Sequence, residues 1–305
     1  MGKTTQIIIR CVLVMTMKGI ILAGGSGSRL HPMTSIQSKH LLPVYDKPMI
    51  YYPLATLMLG GIRDIMIIST PRDIPDFQRL LSDGSNIGIS LSYMIQPSPG
   101  GLPEAFILGR DFISDDSVTL VLGDNIFQTP DFGQTFNSAR ISTEQRGIVN
   151  LFGAKVDDPE RFGVADLDEK GKLLRIIEKP ENPSSNIAVT GLYMYDNSVC
   201  QRAESLVPSA RGELEITDLN MTYIDTGNAQ INLMESGSIW MDAGTPDSLL
   251  AASKQIHSIQ KQGIYVACLE EIAFKKEYID RNEFESLIMR HEPNSAYRRN
   301  LEQIL

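Results

Sequence analysis

With 305 residues, 42% of them hydrophobic, the chain is long enough for one large α/β domain or two small ones. Its 28 basic against 37 acidic residues leave a net charge of −9 with no Lys/Arg run, which argues against a nucleic-acid partner. Cys11, Cys200 and Cys268 are odd in number and far apart, and the four histidines do not cluster, so neither a metal-ligand spacing nor a disulfide framework is expected and a cytoplasmic location fits.

The apolar run at residues 7–15 is short and cut by Arg10, so neither a signal peptide nor a membrane span is expected there. Met17 stands directly before Lys18 and the first strand. Residues 1–16 are therefore expected to be an N-terminal extension, with an extra edge strand as the alternative.

Ile20 to Ala23 has the length and composition of a buried strand. It breaks into Gly24, Gly25, Ser26, Gly27 and Ser28, a loop able to bend sharply and bring backbone N–H groups close to phosphate oxygens. Arg29 adds a planar cationic fork for the same oxygens. Neither standard glycine motif fits. Arg29 and Leu30 stand where a P-loop needs its Lys and hydroxyl, and Leu30 replaces the third glycine of the dinucleotide fingerprint.

Downstream, Pro43 and Pro48 exclude a continuous helix, and the spacing predicts a helix from Ile50 to Leu59 ended by Gly60 and Gly61. A second buried strand is expected at Asp64 to Ser69, a helix at Ile74 to Leu81 and a strand at Ile89 to Ile95. A rigid loop from Gln96 to Pro103 precedes a helix at Glu104 to Arg110, and the strand from Val118 ends in Asp124 and Asn125. This alternation predicts an open, mostly parallel sheet with helices on both faces, whose ligands bind beyond the carboxyl ends of the strands. The glycine loop, the Gln96–Leu102 loop and Asp124 should share that edge.

The second half reads as strands at Ile148 to Val156, Gly163 to Leu167, Leu173 to Ile177 and Ala188 to Tyr195, with a turn at Asp168 to Gly171. A helix at Glu215 to Thr226 and a strand at Gln230 to Glu235 follow. Trp240 to Thr245 then leads into a helix capped by Thr245 with Pro246 in its first turn. Residues 264–305 look like a strand followed by short helices.

Asp124 and Asp242 each follow an apolar stretch, and two converging carboxylates suit a magnesium site completed by substrate phosphates and water. Arg29 and Lys39 flank the glycine loop, and Lys179 and Arg211 stand beside Pro180 and Gly212, all placed to meet phosphates. A triphosphate, a metal and a second phosphate point to nucleotidyl transfer. In that reaction an already anionic phosphate oxygen attacks an α-phosphorus, so positioning and charge neutralisation suffice without a general base.

These segments together resemble the glucose-1-phosphate thymidylyltransferases over about residues 17–290. The resemblance is carried by the Gly19–Leu30 stretch, Ser38 to Val44, Tyr45 to Pro53, Leu122 to Asn125, Glu178 to Pro180, Val189 to Tyr193, Arg211 to Asp218 and Trp240 to Thr245. It implies a Rossmann-like nucleotidyltransferase fold with a mixed, mostly parallel central sheet. Residues 17–263 would form the nucleotidyltransferase domain and residues 264–305 a small helical C-terminal subdomain. It implies that dTTP and glucose 1-phosphate give dTDP-glucose and pyrophosphate with Mg2+, usually in a homotetramer inhibited by the pathway's end product at a separate site.

By the same resemblance, Leu22, Gly24, Gly25, Gly27, Gln96, Gly101 and Leu102 bind the nucleotide, with the Gln96 amide pairing to the pyrimidine edge. Arg29 and Lys39 hold the triphosphate, and Asp124 and Asp242 hold the metal. Gly163, Glu178, Val189 and Tyr193 surround the sugar, and Lys179 and Arg211 hold its phosphate.

Several positions depart from the family's pattern. His40 stands where Gln is usual, which would alter triphosphate contacts or pH dependence. Phe162 and Ala243 replace a common Tyr and Thr. In the regulatory region Phe127, Gln128, Thr129 and Pro130 replace a Tyr-Gly-His type stretch, Ser236 stands where Arg is common, and Lys275 replaces another Arg. Weaker feedback inhibition is expected from the lost guanidinium forks. A uridylyltransferase or dual-specificity enzyme remains open, because one thymine methyl is worth only about 1–3 kcal/mol in a pocket. A non-catalytic sugar-nucleotide sensor would be expected to lack Asp124, Asp242 or Lys179, and a dehydrogenase would keep a glycine at Leu30.

Overall fold

The computed structural model describes residues 16–128, 132–235 and 237–305. The proposed extension at residues 1–16 lies outside these except for Thr16. Cys11, Thr129, Pro130 and Ser236 also lie outside them.

The chain begins with β1 (Met17–Leu22), then a small hairpin of β2 (Pro43–Val44) and β3 (Lys47–Pro48), and α1 (Tyr51–Leu59). Next come β4 (Asp64–Ser69), α2 (Ile74–Leu81), β5 (Ser90–Ile95), α3 (Glu104–Leu108), α4 (Arg110–Ile113) and β6 (Ser117–Leu122). The middle comprises β7 (Asn125–Gln128), α5 (Phe132–Arg146), β8 (Val149–Lys155), β9 (Gly163–Leu167), β10 (Leu173–Glu178) and β11 (Ile187–Tyr195). The remainder is α6 (Val199–Glu204), α7 (Ile216–Ile224), β12 (Ala229–Leu233), β13 (Ile239–Asp242), α8 (Pro246–Gln260), α9 (Leu269–Lys275), α10 (Arg281–Arg290) and α11 (Ala296–Glu302).

The main sheet runs β10-β9-β11-β6-β1-β4-β5, with β8 on β11 and β12 on β8. β6, β1, β4 and β5 are mutually parallel, whereas β11 runs antiparallel to β6, β8 and β9. The fold is thus mixed, with a parallel centre, as the alternating elements predict. The parallel strands are apolar on both faces because helices cover both. Ile21, Ile65 and Ile67 enter one core, while Ile20, Leu22, Met66 and Ile68 enter the other.

Several boundaries differ from expectation for local reasons. The helix expected at Glu104 to Arg110 is two short helices divided at Gly109. No strand forms at 264–268. Ala267 adopts a left-handed φ of 52°, and Val266, Ala267 and Cys268 are buried in the core as a packed segment. The core is continuous into the C-terminal helices, where Tyr278 donates to the Met58 carbonyl at 2.8 Å. Sequence periodicity does not announce α5 or the short strands β7 and β13.

Candidate active site

The carboxyl ends of β1, β4, β5 and β6 share one edge of the sheet, and each continues into a segment of the site. Beyond β1, Gly25 and Gly27 take φ of 92° and 62°, conformations that glycine adopts without the cost a Cβ imposes. Ser69, at the end of β4, donates to the Ala23 carbonyl at 2.7 Å and fixes where the glycine loop begins. Past β5, Gln96 is buried, and its backbone N–H donates to the Ser69 carbonyl at 2.8 Å.

Asp124 follows β6. Lys39 Nζ donates to its Oδ2 at 2.5 Å, and Asn125 Nδ2 donates to its Oδ1 at 3.1 Å. Burial alone would push this carboxyl up, but the Lys39 charge and these hydrogen bonds hold it below the usual carboxylate range. Asp242 reaches the same place from the far end of the chain. β13 pairs antiparallel with β7, with Asp242 opposite Asn125, and the Ala243 N–H donates to the Asp124 carbonyl at 3.0 Å. Asn125 fastens the junction by accepting from Trp240 Nε1 at 2.6 Å and from the Gly191 N–H at 2.9 Å.

Burial and the Asp124 charge push the Asp242 carboxyl above its usual range, with Arg29 opposing them. A Cβ on Gly244 would lie 2.8 Å from both Arg29 Nη2 and Asp242 Oδ1, so the guanidinium and the carboxylate converge over a residue that must be small. Among the described residues no cluster of three or more His, Cys, Asp or Glu could hold a metal. The protein therefore contributes two hard oxygen donors whose mutual repulsion a divalent cation would relieve, and the donor set fits magnesium with ligand phosphates and water completing the shell.

Two cavities meet at Asp124. One, of about 240 Å³, is lined by the glycine loop at Gly24 and Gly25 with Leu22, Lys39, His40, Gln96 and Gly101. The other, of about 220 Å³, is lined by Arg29, Gly163, Glu178, Lys179, Val189, Tyr193 and Asp242. Leu102, Leu122 and Asp124 form the wall common to both. In the second cavity Glu178 Oε2 accepts from Thr217 Oγ1 at 2.9 Å, and Glu178 Oε1 lies 3.3 Å from Lys179 Nζ. Lys179 itself has a left-handed φ of 44°, a conformation that costs about 1–3 kcal/mol outside glycine and that concentrates at functional sites.

Two expected residues line neither cavity. Gly27 lies against Thr34, which donates to its carbonyl at 2.9 Å. Arg211 is exposed and donates through Nη2 to both Glu215 oxygens, at 2.8 and 2.9 Å. His40 is buried against Gly123, and burial together with Lys39 lowers its pKa to about 3. Those two effects favour the neutral ring.

Asn125, Arg161, Trp240 and Glu213 line the two cavities without having been expected as binding residues, and Phe162, expected beside the sugar in place of a Tyr, lines the second. Glu213 arrives because Gly101 and Leu214 form a parallel bridge and the Leu214 N–H donates to the Gly100 carbonyl at 2.9 Å. A third cavity, of about 650 Å³, lies apart from these and is lined by Thr56, Phe127, Gln128, Val266 and Lys275 among others. Of the residues singled out for regulation, Phe127, Gln128 and Lys275 are thus together.

The model of the nucleotidyl transferase family matches residues 18–259. A glucose-1-phosphate thymidylyltransferase of Neisseria gonorrhoeae is 51% identical over 282 residues, 92% of this chain and 96% of that protein. One from Xanthomonas campestris is 53% identical over 88% of this chain and 91% of that protein. Among solved structures, a Bacillus anthracis chain described as a glucose-1-phosphate thymidylyltransferase and bound to sucrose superposes with a TM-score of 0.73 at 44% identity. It covers 79% of this chain and 95% of that one. A UDP-glucose pyrophosphorylase shares the fold, with a TM-score of 0.69 at 22% identity over 80% of this chain and 99% of that one.

Proposed function

The chain belongs to the glucose-1-phosphate thymidylyltransferases of the nucleotidyl transferase family, and from that premise we propose how its residues divide the work. The enzyme transfers dTMP from dTTP to glucose 1-phosphate, giving dTDP-glucose and pyrophosphate. The observation that carries the assignment of residues is the pair of cavities that share Asp124 as a wall.

In this reading the base and triphosphate occupy the glycine-loop cavity. Gln96 pairs with the pyrimidine edge, Gly101 and Leu102 flank the base, and Leu22 with the backbone at Gly24 and Gly25 lines the phosphate path. Arg29 and Lys39 take the β- and γ-phosphates and stay with them as pyrophosphate leaves. Glucose 1-phosphate occupies the second cavity. Glu178 accepts from sugar hydroxyls beside Gly163, Val189 and Tyr193, and Lys179 orients the phosphate. Arg211 reaches that phosphate by exchanging Glu215 for it.

The attacking phosphate oxygen is already anionic, so these groups act by holding it in line with the α-phosphorus and the leaving oxygen. Asp124 and Asp242 would hold Mg2+, which when bound neutralises charge on the phosphates. In the resting enzyme Lys39 and Arg29 perform that neutralisation for the two carboxylates. The active assembly is a homotetramer in this reading, and Lys275 in place of an arginine leaves feedback by dTDP-rhamnose weak.

Pyrophosphate release from dTTP plus glucose 1-phosphate tests the assignment. Release should require magnesium, and Asp124→Asn should lower kcat roughly a hundredfold or more, since such charge stabilisation is worth several kcal/mol. Full activity in Asp124→Asn would remove that carboxylate from the mechanism, and full activity in magnesium-free enzyme would remove the metal site built on both.

A further inference from the structure

Gln96 carries a carboxamide, and a carboxamide can present either a donor or an acceptor to a base. Which one it presents decides which base edge it can read. The thymine or uracil edge offers an N3–H donor beside the O4 acceptor. Cytosine offers the reverse, an N3 acceptor beside the N4 donors. A freely turning glutamine would accommodate both.

In this protein the amide is not free to turn. Gln96 Nε2 donates to Glu104 Oε2 at 2.6 Å. A carboxylate oxygen only accepts, so it takes the nitrogen end of the amide and rejects the oxygen end. Oε1 consequently faces the glycine loop, where a Cβ on Gly24 would lie 2.7 Å from it. The side chain is buried, and its backbone is tied to Ser69, so the amide is held in packed surroundings. Gly100 completes the arrangement. A Cβ at that position would collide with all three terminal atoms of the Glu104 side chain, so the absence of a side chain there makes room for the carboxylate.

We propose that Glu104, seated over Gly100, is a positioning residue that locks the Gln96 amide in the orientation that reads thymine and uracil nucleotides and excludes cytosine nucleotides. The idea rests on the nucleotide occupying the glycine-loop cavity. With Nε2 committed to Glu104 by one hydrogen, its second hydrogen is available for O4 while Oε1 accepts from N3–H. Cytosine would set N3 against Oε1 and N4 against Nε2, acceptor facing acceptor and donor facing donor. Turning the amide to suit it would put Oε1 against the Glu104 carboxylate.

The test is the binding of dTTP, dUTP and dCTP to the wild type, Glu104→Gln and Gly100→Ala, measured by calorimetry so that turnover is not needed. Glutamine at 104 is nearly isosteric and offers either an oxygen or a nitrogen to Gln96, which frees both orientations. The wild type should prefer dTTP to dCTP by tenfold or more, and Glu104→Gln should erase about tenfold of that preference, the scale of one correctly matched bidentate base contact. Gly100→Ala, by displacing the carboxylate, should move the ratio the same way. The dTTP to dUTP ratio should stay unchanged, because those bases share the imide edge; a merely structural loss would weaken all three alike.

An unchanged dTTP to dCTP ratio in Glu104→Gln overturns the proposal, and so does a wild type that binds dCTP as well as dTTP. A wild type that binds dTTP selectively yet makes no dTDP-glucose would sink the reaction assigned above and leave this inference standing.

Discussion

At the scale of single residues, the site depends on groups whose removal leaves others stranded. Asn125 Oδ1 is the acceptor for both Trp240 Nε1 and the Gly191 N–H. Asn125→Ala is therefore expected to destabilise the fold by about 2 kcal/mol through unpaired donors, and to lower kcat because Asp124 and Asp242 lose their common fastening. Thermal melts beside steady-state rates check this; a variant with wild-type kcat would show that the β7–β13 junction does not position the carboxylates. Gly101 combines a φ of 92° with a Leu214 carbonyl too near to admit a Cβ. Gly101→Ala is expected to cost about 1–3 kcal/mol and to raise KM for dTTP more than it lowers kcat. Carboxylates at strand ends and glycines in loops are legible in a sequence because their chemistry is local. Asn125 was not legible as a fastening, since its partners come from residues 191 and 240.

At the scale of elements, the alternation of apolar runs with amphipathic stretches is enough to place the parallel strands, because both core faces demand unbroken hydrophobicity. α8 is equally readable. Thr245 accepts from the Ser248 N–H at 3.2 Å, the Ser248 hydroxyl accepts from the Thr245 N–H at 3.0 Å, and Pro246 occupies the first turn. Thr245→Ala should cost about 1 kcal/mol in a denaturant titration. The short strands β7 and β13 escape such reading because each has four residues and, among the described residues, pairs only with the other, far along the chain. The apolar run at 264–268 misleads in the opposite direction. Burial explains its composition, and the left-handed Ala267 prevents it from extending as a strand.

At the scale of the whole molecule, the C-terminal helices are docked by a buried acid. Glu270 accepts from His291 Nε2 at 2.9 Å and from the Tyr297 hydroxyl at 2.5 Å, and Lys47 Nζ sits 5.4 Å from the centre of the Tyr297 ring. Burial pushes the Glu270 carboxyl up, but these hydrogen bonds outweigh it and hold the carboxyl below the usual glutamate range. The folded pKa is thus depressed. The stabilisation is complete above the unfolded value and is lost as pH falls through the folded one. The wild type should lose thermal stability below about pH 4.5 more steeply than Glu270→Gln, whose amide does not titrate; parallel melting curves across pH 3 to 7 would refute this. The proposed feedback belongs to this scale too. Lys275, paired with Glu271 at 2.6 Å, offers a point charge where a guanidinium would offer a fork. dTDP-rhamnose is expected to inhibit more weakly than dTTP binds, and Lys275→Arg to strengthen inhibition.

The bridge between Gly101 and Leu214 joins two loops that face different substrates in the proposed assignment, one beside the base and one leading from Arg211 into α7. Tied to each other by this bridge and by the Leu214 N–H to Gly100 carbonyl hydrogen bond, the two loops order together. Ordering by nucleotide lessens the entropy still to be lost when the sugar phosphate arrives, which is positive heterotropic cooperativity. Thermodynamic reciprocity then requires each ligand to raise the other's affinity by the same factor. Calorimetric titrations in both orders, with a non-reacting nucleotide analogue, should return equal coupling constants greater than one, and Gly101→Ala should bring them toward unity.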